Sequence, residues 1–468
     1  MKTWAQLFVR HGFKLEEQDA GVFDCRKETE RNMTFLLECL EKGQANVNYV
    51  ASLQELTITS EPLMEEKWIS ILNFKWRGRG EGLYFSAETE EPAICELDTF
   101  IAGIVRQLNR LGLHTNGSCD GHGRNAASIS MLREDEVEVT TKILLAAGVK
   151  KVVTRGKNIR LLVSKREQLL DVAETLSVIQ KDWLGEDVSY IRQQFFYQSL
   201  EELLSIDGCS GEEGAVREYI LSKLHGLVDH VSVDHNGNVL SQKTYGSGTG
   251  PTLLLNAHMD TVDCFAPGRV IVKKGAEWSS SEGILGADDR AGVAVVLAMA
   301  DWLEGTRFNG KVKYIFTVEE EVGLVGASGV HNYFLWDVDA AIVVDRRGTG
   351  DIVVSCGGYL PFCHEKYGEF LESVAVLKGL EGWKTTAGGS SDTRVWAEHG
   401  IQSVNLSVGY QGEHTDREIL DVEACYKTLK LVQGVFQESR ELQRVLRRIK
   451  MLETMKRRGT RLVDKEIK

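Results

Sequence analysis

VKYIFTVEEEVGLVGA, residues 312–327, decides the fold. Its first seven residues are mostly apolar, β-branched or aromatic, the make-up of a strand buried on both faces of a sheet. Three further runs have the same character: TLLLNA (252–257), AAIVV (340–344) and SVNLSV (403–408). A helical stretch, DRAGVAVVLAMADWLEG (289–305), separates the runs at 252 and 312. Strand, helix and strand at this spacing imply crossover connections, and so an α/β fold with a mostly parallel central sheet flanked by helices. Ligands of such sheets bind beyond the carboxyl ends of the strands, which makes the polar residues after each run the informative ones.

At 468 residues the chain is too long for one ordinary core. Residues 191–440 carry the strand and helix alternation. Residues 1–190 mix the two patterns as an α+β module, with helices expected at 97–112 and 136–148 and strands at ASISML (127–132) and NIRLLVS (158–164). From Arg440 onward eleven Lys/Arg face four Asp/Glu, so 441–468 reads as a basic helix or tail with a solvated face. A hydrophobic content of 43% with 26% charged residues is that of a soluble globular protein. The formal charge of −13 argues against nucleic acid as a general partner. No stretch reaches the ~18 apolar residues of a membrane span, and Arg10, His11 and Lys14 interrupt any signal-peptide core. Nine cysteines without CxxC pairing suggest reduced thiols and a cytoplasmic location.

Five segments deliver histidine or carboxylate to one edge of the expected sheet. NAHMD places His258 and Asp260 after the first strand; ILGADDRAG places Asp288 and Asp289 at the mouth of the helix. Glu319, Glu320 and Glu321 follow the second strand, Asp345 closes the third, and the fourth leads into GYQGEHTDRE and His414. Any one of these has a plain explanation, such as a surface histidine, a helix-capping aspartate or a solvated carboxylate run. Together they would bury like charges at a cost of several kcal/mol, and divalent cations relieve that repulsion. Two histidines with several carboxylates suit zinc, with cobalt or manganese as alternatives. One carboxylate can bridge two such ions about 3.5–4 Å apart.

The stretches SIDGCSGEEGAVREYI (205–220), VDHNGNVL, NAHMDTV, GADDRAGVA, FTVEEEVGLVGA, GGSSDTRVWAEHGI and GEHTDRE stand in the order and spacing of the dinuclear-zinc exopeptidases. The sequence resembles that superfamily, with its peptidase T-like, glutamyl-type and leucyl-type members, over about residues 195–440. The resemblance implies that His258, Asp288 and Asp345 hold one metal ion and that Asp288, Glu321 and His414 hold the other. It further implies that Asp260 orients His258 and that the Asp288–Asp289 peptide is cis. Glu320 matches the general base that takes a proton from a metal-bridging water and returns it to the leaving amine. Glu319 is left a supporting polar role. The loop GGSSD, with Gly388, Gly389 and Asp392, together with Arg394, matches the substrate-binding region.

The chain also departs from these relatives. Only 29 residues separate His258 from Asp288 and 68 separate Asp345 from His414, too few for the inserted lid or dimerisation domain of that superfamily. Ala387 stands where tripeptidases carry the arginine that binds the substrate carboxylate, and Arg394 is the nearby candidate to compensate. The implied activity is a two-metal aminopeptidase acting on short peptides, able to form homo-oligomers. The same core would also serve an N-acyl amino acid amidohydrolase or deacylase, and a third reading is a retired core kept as a binding or regulatory module. In the first module, TNGSCDGHG (115–123) gathers Cys119, Asp120 and His122 in a glycine-rich loop, either a plain turn or a second metal or thiol site.

Overall fold

The computed structural model describes residues 2–75, 77–78 and 92–466, and in the last helix describes side chains only as far as residue 455. The chain divides into two units, Met1–Gln194 and Phe195–Lys468.

The first unit contains two four-stranded antiparallel sheets. The strands Ala127–Met131 and Asn158–Leu162 lie where the sequence pattern places them and pair directly. The helix expected at 97–112 begins later, at Ala102, because Leu97 is extended and Asp98 turns its carboxylate to accept the Asp120 N–H at 3.1 Å. The helix expected at 136–148 runs from Val137 to Ala146. The second sheet, Glu16–Asp19, Val22–Asp24, Glu55–Ile58 and Val47–Val50, has no counterpart in the sequence reading. Its edge strand, EEQD, is exposed throughout and offers no apolar period to detect.

In the second unit the strands of the main sheet are β1 (His230–Val233), β2 (Val239–Tyr245), β3 (Thr252–His258), β4 (Gly310–Thr317), β5 (Ala340–Arg346), β6 (Asp351–Cys356), β7 (Leu360–Pro361), β8 (Lys384–Gly388) and β9 (Gln402–Ser407). Their order is β7-β6-β9-β5-β3-β4-β2-β1, with β8 also on β6. The centre, β9-β5-β3-β4, is parallel as expected. Both flanks turn antiparallel, at β6 against β9 and at β2 against β4.

Alternation explains the unbroken apolar runs. Leu253, Leu255 and Ala257 of β3 join one core with Tyr314, Phe316 and Ile342. Leu254 joins the other, with Ile315, Ala341 and Val343. Both faces are covered, so neither parity of the strand can be polar. Helix α1 (Ala287–Leu303) packs on β3 and β5 and lends Ala291, Val295 and Met299 to the first core. The last helix, Ser439–Glu466, buries Leu442 and Ile449 while Met451 and Met455 are exposed, so the basic segment is anchored along one stripe. The expected tail ends with Ile467 and Lys468, which lie outside the described residues.

The reading of reduced thiols needs one correction. Cys209 and Cys264 are joined in a disulfide, while the other seven cysteines are free. A parallel bridge between Cys209 and Thr261 sets the two loops side by side and brings the Cα atoms to 4.9 Å. No helix among the described residues is long and apolar enough to cross a membrane.

Candidate metal centre

Strand register builds the site. His258 is the last residue of β3 and pairs with Thr317 at the end of β4. Asn256 pairs with Val343, so two residues on, Asp345 stands level with His258 across the parallel pair. The three glutamates leave β4 at the same edge, and Asp288 enters at the start of α1, where its peptide to Asp289 is cis.

Two groups of side chains converge there: His258 with Asp288 and Asp345, and Asp288 with Glu321 and His414. His258 Nε2 lies 3.1 Å from Asp288 Oδ1 and 3.6 Å from Asp345 Oδ1. His414 Nε2 lies 3.3 Å from the other Asp288 oxygen, Oδ2, and 2.9 Å from Glu321. Asp288 therefore stands between the groups with one oxygen toward each.

The surrounding contacts hold these side chains from behind. Asp260 is fully buried and accepts hydrogen bonds from Ser210 Oγ (2.8 Å), the Glu320 N–H (3.0 Å) and the Glu321 N–H (3.1 Å). Its backbone carbonyl lies 3.0 Å from His258 Nδ1, and its carboxylate 3.3 Å. One carboxylate thus fixes the imidazole and the turn that carries two of the glutamates. Glu213 accepts the remaining N–H, that of Glu319, at 3.2 Å. Glu319 itself sits at a φ of +50°, a left-handed conformation that turns the chain sharply off the strand.

Glu418 accepts the N–H groups of Gly286 (2.7 Å) and Asp288 (2.9 Å). Tyr410 donates its hydroxyl to Asp345 at 3.0 Å, and Asn405 accepts the Asp345 N–H at 2.9 Å. Asp289 accepts the His258 N–H (3.2 Å) and the Gly292 N–H (3.1 Å). The sequence reading did not assign roles to Ser210, Tyr410 or Glu418. All three lie inside the quoted motifs, but a hydroxyl or a carboxylate that holds backbone has no spacing signature of its own.

The predicted substrate residues fall differently. Asp392 is buried at the start of the helix Asp392–Glu398 and accepts the Thr317 hydroxyl. Gly388 ends β8, where its carbonyl accepts the Gly357 N–H, and a Cβ on Gly389 would meet open space. Arg394 is exposed and pairs with Glu398 one turn further on, at 2.9 Å.

The electrostatics of the donor set fit cations. Burial, then the neighbouring Asp345, pushes Glu320 up to about 10, and burial pushes Glu321 up to about 7. Burial likewise lifts Asp392 to about 6. Asp288 is held below the ordinary carboxylate range: burial opposes this, but hydrogen bonds with His258 and His414 outweigh it. Burial also works against the charged form of His258, yet its contacts with Asp260, Asp288 and Asp345 hold it well above the usual value. Arg290, buried beneath the site, is committed to the carbonyls of Met259, Ile206 and Gly208. Carboxylates thus outnumber cationic side chains, as a site built for divalent ions requires.

Two such groups at the carboxyl edge of an α/β unit agree with the resemblance of the motifs to the zinc exopeptidases. Residues 267–431 match the M42 glutamyl aminopeptidase family, a segment that includes Asp288, Glu320, Glu321, Asp345 and His414. The chain is 28% identical over 214 residues to the cytosol non-specific dipeptidase of Escherichia coli (strain K12), a match covering 43% of each chain. It is 24% identical over 333 residues to a putative aminopeptidase of Acetivibrio thermocellus, with 52% of this chain and 98% of that protein covered. Among solved structures, aminopeptidase PepT from Bacillus cereus ATCC 10987 aligns with a TM-score of 0.46 at 21% identity, over 53% of this chain and 98% of that one.

Proposed function

We propose that the second unit is a two-metal aminopeptidase acting on short peptides. The observation that carries this reading is the placement of Asp288, one oxygen toward His258 and the other toward His414, with Glu320 on the adjoining turn. His258 and Asp345 would hold one divalent ion, Glu321 and His414 the other, with Asp288 shared and zinc the first candidate. Bound ions would supply Lewis-acid polarisation of the scissile carbonyl and a water acidic enough to react at neutral pH.

The remaining work belongs to side chains of this chain. Glu320 stands near Asp345 and His258 at the sheet edge and takes no share in either ligand group. It would accept the proton of the attacking water and deliver it to the leaving amine. Asp260 keeps Glu320 and Glu321 pointed apart by holding their consecutive N–H groups on its two oxygens. Gly388 and Gly389, at the end of β8, would contact the substrate, and Asp392, buried at the start of the following helix, would act from behind them.

A hydrolysis screen with peptides free at the amino end, blocked at the amino end and blocked at the carboxyl end, each with added Zn, Co or Mn, tests the reading. Cleavage confined to substrates with a free amino end is expected. Cleavage only of amino-blocked substrates would replace it with an amidohydrolase or deacylase, and no cleavage by a metal-loaded protein with a binding module. Glu320→Gln should retain its metal content and lose about 10²–10⁴-fold in turnover, the usual share of a general acid–base group.

A further inference from the structure

The motif TNGSCDGHG (115–123) lies in the first unit, outside the chemistry described so far. The structure brings a third kind of donor set together there. Asp98, Cys119 and His122 each place a ligand atom within 4.8 Å of the others. Thiolate, imidazole and carboxylate form a set suited to zinc. His122 Nε2 lies 3.7 Å from Asp98 Oδ2. That is close to the ~3.4 Å edge of a tetrahedron whose ligands stand about 2.0–2.3 Å from a metal.

The second layer of contacts is arranged as ligand histidines and cysteines require. The other imidazole nitrogen, Nδ1, lies 3.5 Å from Asp120 Oδ1, where a carboxylate sets the tautomer that frees Nε2 for a metal. Asp120 is itself buried, paired with Arg166, and accepts the His122 N–H at 2.9 Å. The Gly121 N–H donates to Cys119 Sγ at 3.4 Å, a contact that favours the thiolate against burial and the nearby Asp98 and Asp120, which without a metal hold the thiol above its usual range. Three successive left-handed residues, Gly121, His122 and Gly123 (φ +77°, +51° and +71°), fold the loop back on itself so that one short segment presents both Cys119 and His122. Asp98, at the foot of the neighbouring helix, is buried, whereas the His122 side chain is 63% exposed, which leaves one side of the set open to solvent.

We propose that Asp98, Cys119 and His122 form a mononuclear zinc-type site with its fourth position open to water. It differs from the candidate metal centre of the second unit in one decisive respect, since neither ligand group there includes a thiol. Cobalt(II) loading of the full chain reads that difference directly, because only a thiolate ligand gives intense near-ultraviolet sulfur-to-cobalt absorption. The absorption should appear in the unaltered protein and persist in the His258→Ala/His414→Ala double variant. It should disappear in Cys119→Ser, with one equivalent fewer of bound metal, and Asp120→Asn should weaken binding about 10–100-fold. His122→Ala, at an exposed position, serves as a second variant with the same expected loss. Absence of the absorption from the unaltered protein, or its persistence at full strength in Cys119→Ser, would overturn the proposal.

Discussion

Replacing Asp260 by asparagine isolates what one buried carboxylate does for the site. Its oxygens take two consecutive backbone N–H groups, one each from Glu320 and Glu321, and the second oxygen also takes Ser210 Oγ. Asparagine offers a single acceptor, so its amide NH₂ must face one of those N–H groups, donor against donor. A hydrogen bond to a charged acceptor contributes about 1.5–3 kcal/mol, and a buried N–H left unpaired costs about 1–3 kcal/mol more. The sum, about 2.5–6 kcal/mol, exceeds what the turn can absorb in place, so the 319–321 segment moves. Displacement of a catalytic group by about 1 Å costs roughly 100-fold. Asp260→Asn should therefore lower kcat/KM on a short peptide by at least that factor and lower the melting temperature of the second unit by about 10 °C. Metal content measured on the same sample separates lost ligation from misplaced Glu320. A variant with two bound ions and kcat/KM within threefold of the original would refute the argument, because it would show that the turn holds itself.

Removing Glu418 by substitution with alanine leaves the Gly286 and Asp288 N–H groups without their acceptor; metal titration should show binding weakened about 10–100-fold. Gly292→Ala would place a Cβ 2.0 Å from the Val344 carbonyl and 2.4 Å from Asp289 Oδ1, neither of which can retreat. Chemical denaturation should register a loss of about 3 kcal/mol or more. In the first unit, burial, and after it Arg77 and Arg10, pushes His11 down to about 3. The folded unit keeps this imidazole neutral while the unfolded chain takes up a proton below about pH 6.5, so stability falls as pH drops from 6.5 toward 3. The slope is about 1.4 kcal/mol per pH unit, and hydrogen exchange in the helix Trp4–Arg10 measures it. His11→Leu should flatten that slope, and an unchanged slope would remove His11 as its source.

The sequence made most of the second unit legible because its central strands are buried on both faces. Leu253, Leu254 and Leu255 all face protein, so the run carries the signal that an alternating strand would have diluted. The flanks were harder to read. β1 is exposed at every position and β7 is two residues long, so neither presents an apolar pattern. At the site, His258, Asp288, Glu321, Asp345 and His414, which the structure brings together, stand out in the sequence because few residue types are suited to hold metals. Glu418, Tyr410 and Ser210 act on backbone or on another side chain, and only the fold brings them within reach. Arg394, near in sequence to the GGSSD loop and a candidate substrate contact, is exposed with its guanidinium on Glu398.

The three glutamates after β4 show how local chain geometry divides like residues among unlike tasks. Side chains leaving an extended strand alternate in direction, but that rule alone would return Glu319 and Glu321 to the same side. The left-handed conformation at Glu319 breaks the alternation at its first member. From there two buried acceptors, Glu213 for the first N–H and Asp260 for the next two, set the path of the turn. Glu321 is carried to His414, at 2.9 Å, while Glu320 is left beside Asp345 and Asp392, where burial first and then like charges raise its affinity for a proton. The division therefore arises in the acceptors behind the turn. An exchange of Glu320 with another acid would disturb the site less than the loss of Asp260, which acts on both residues at once.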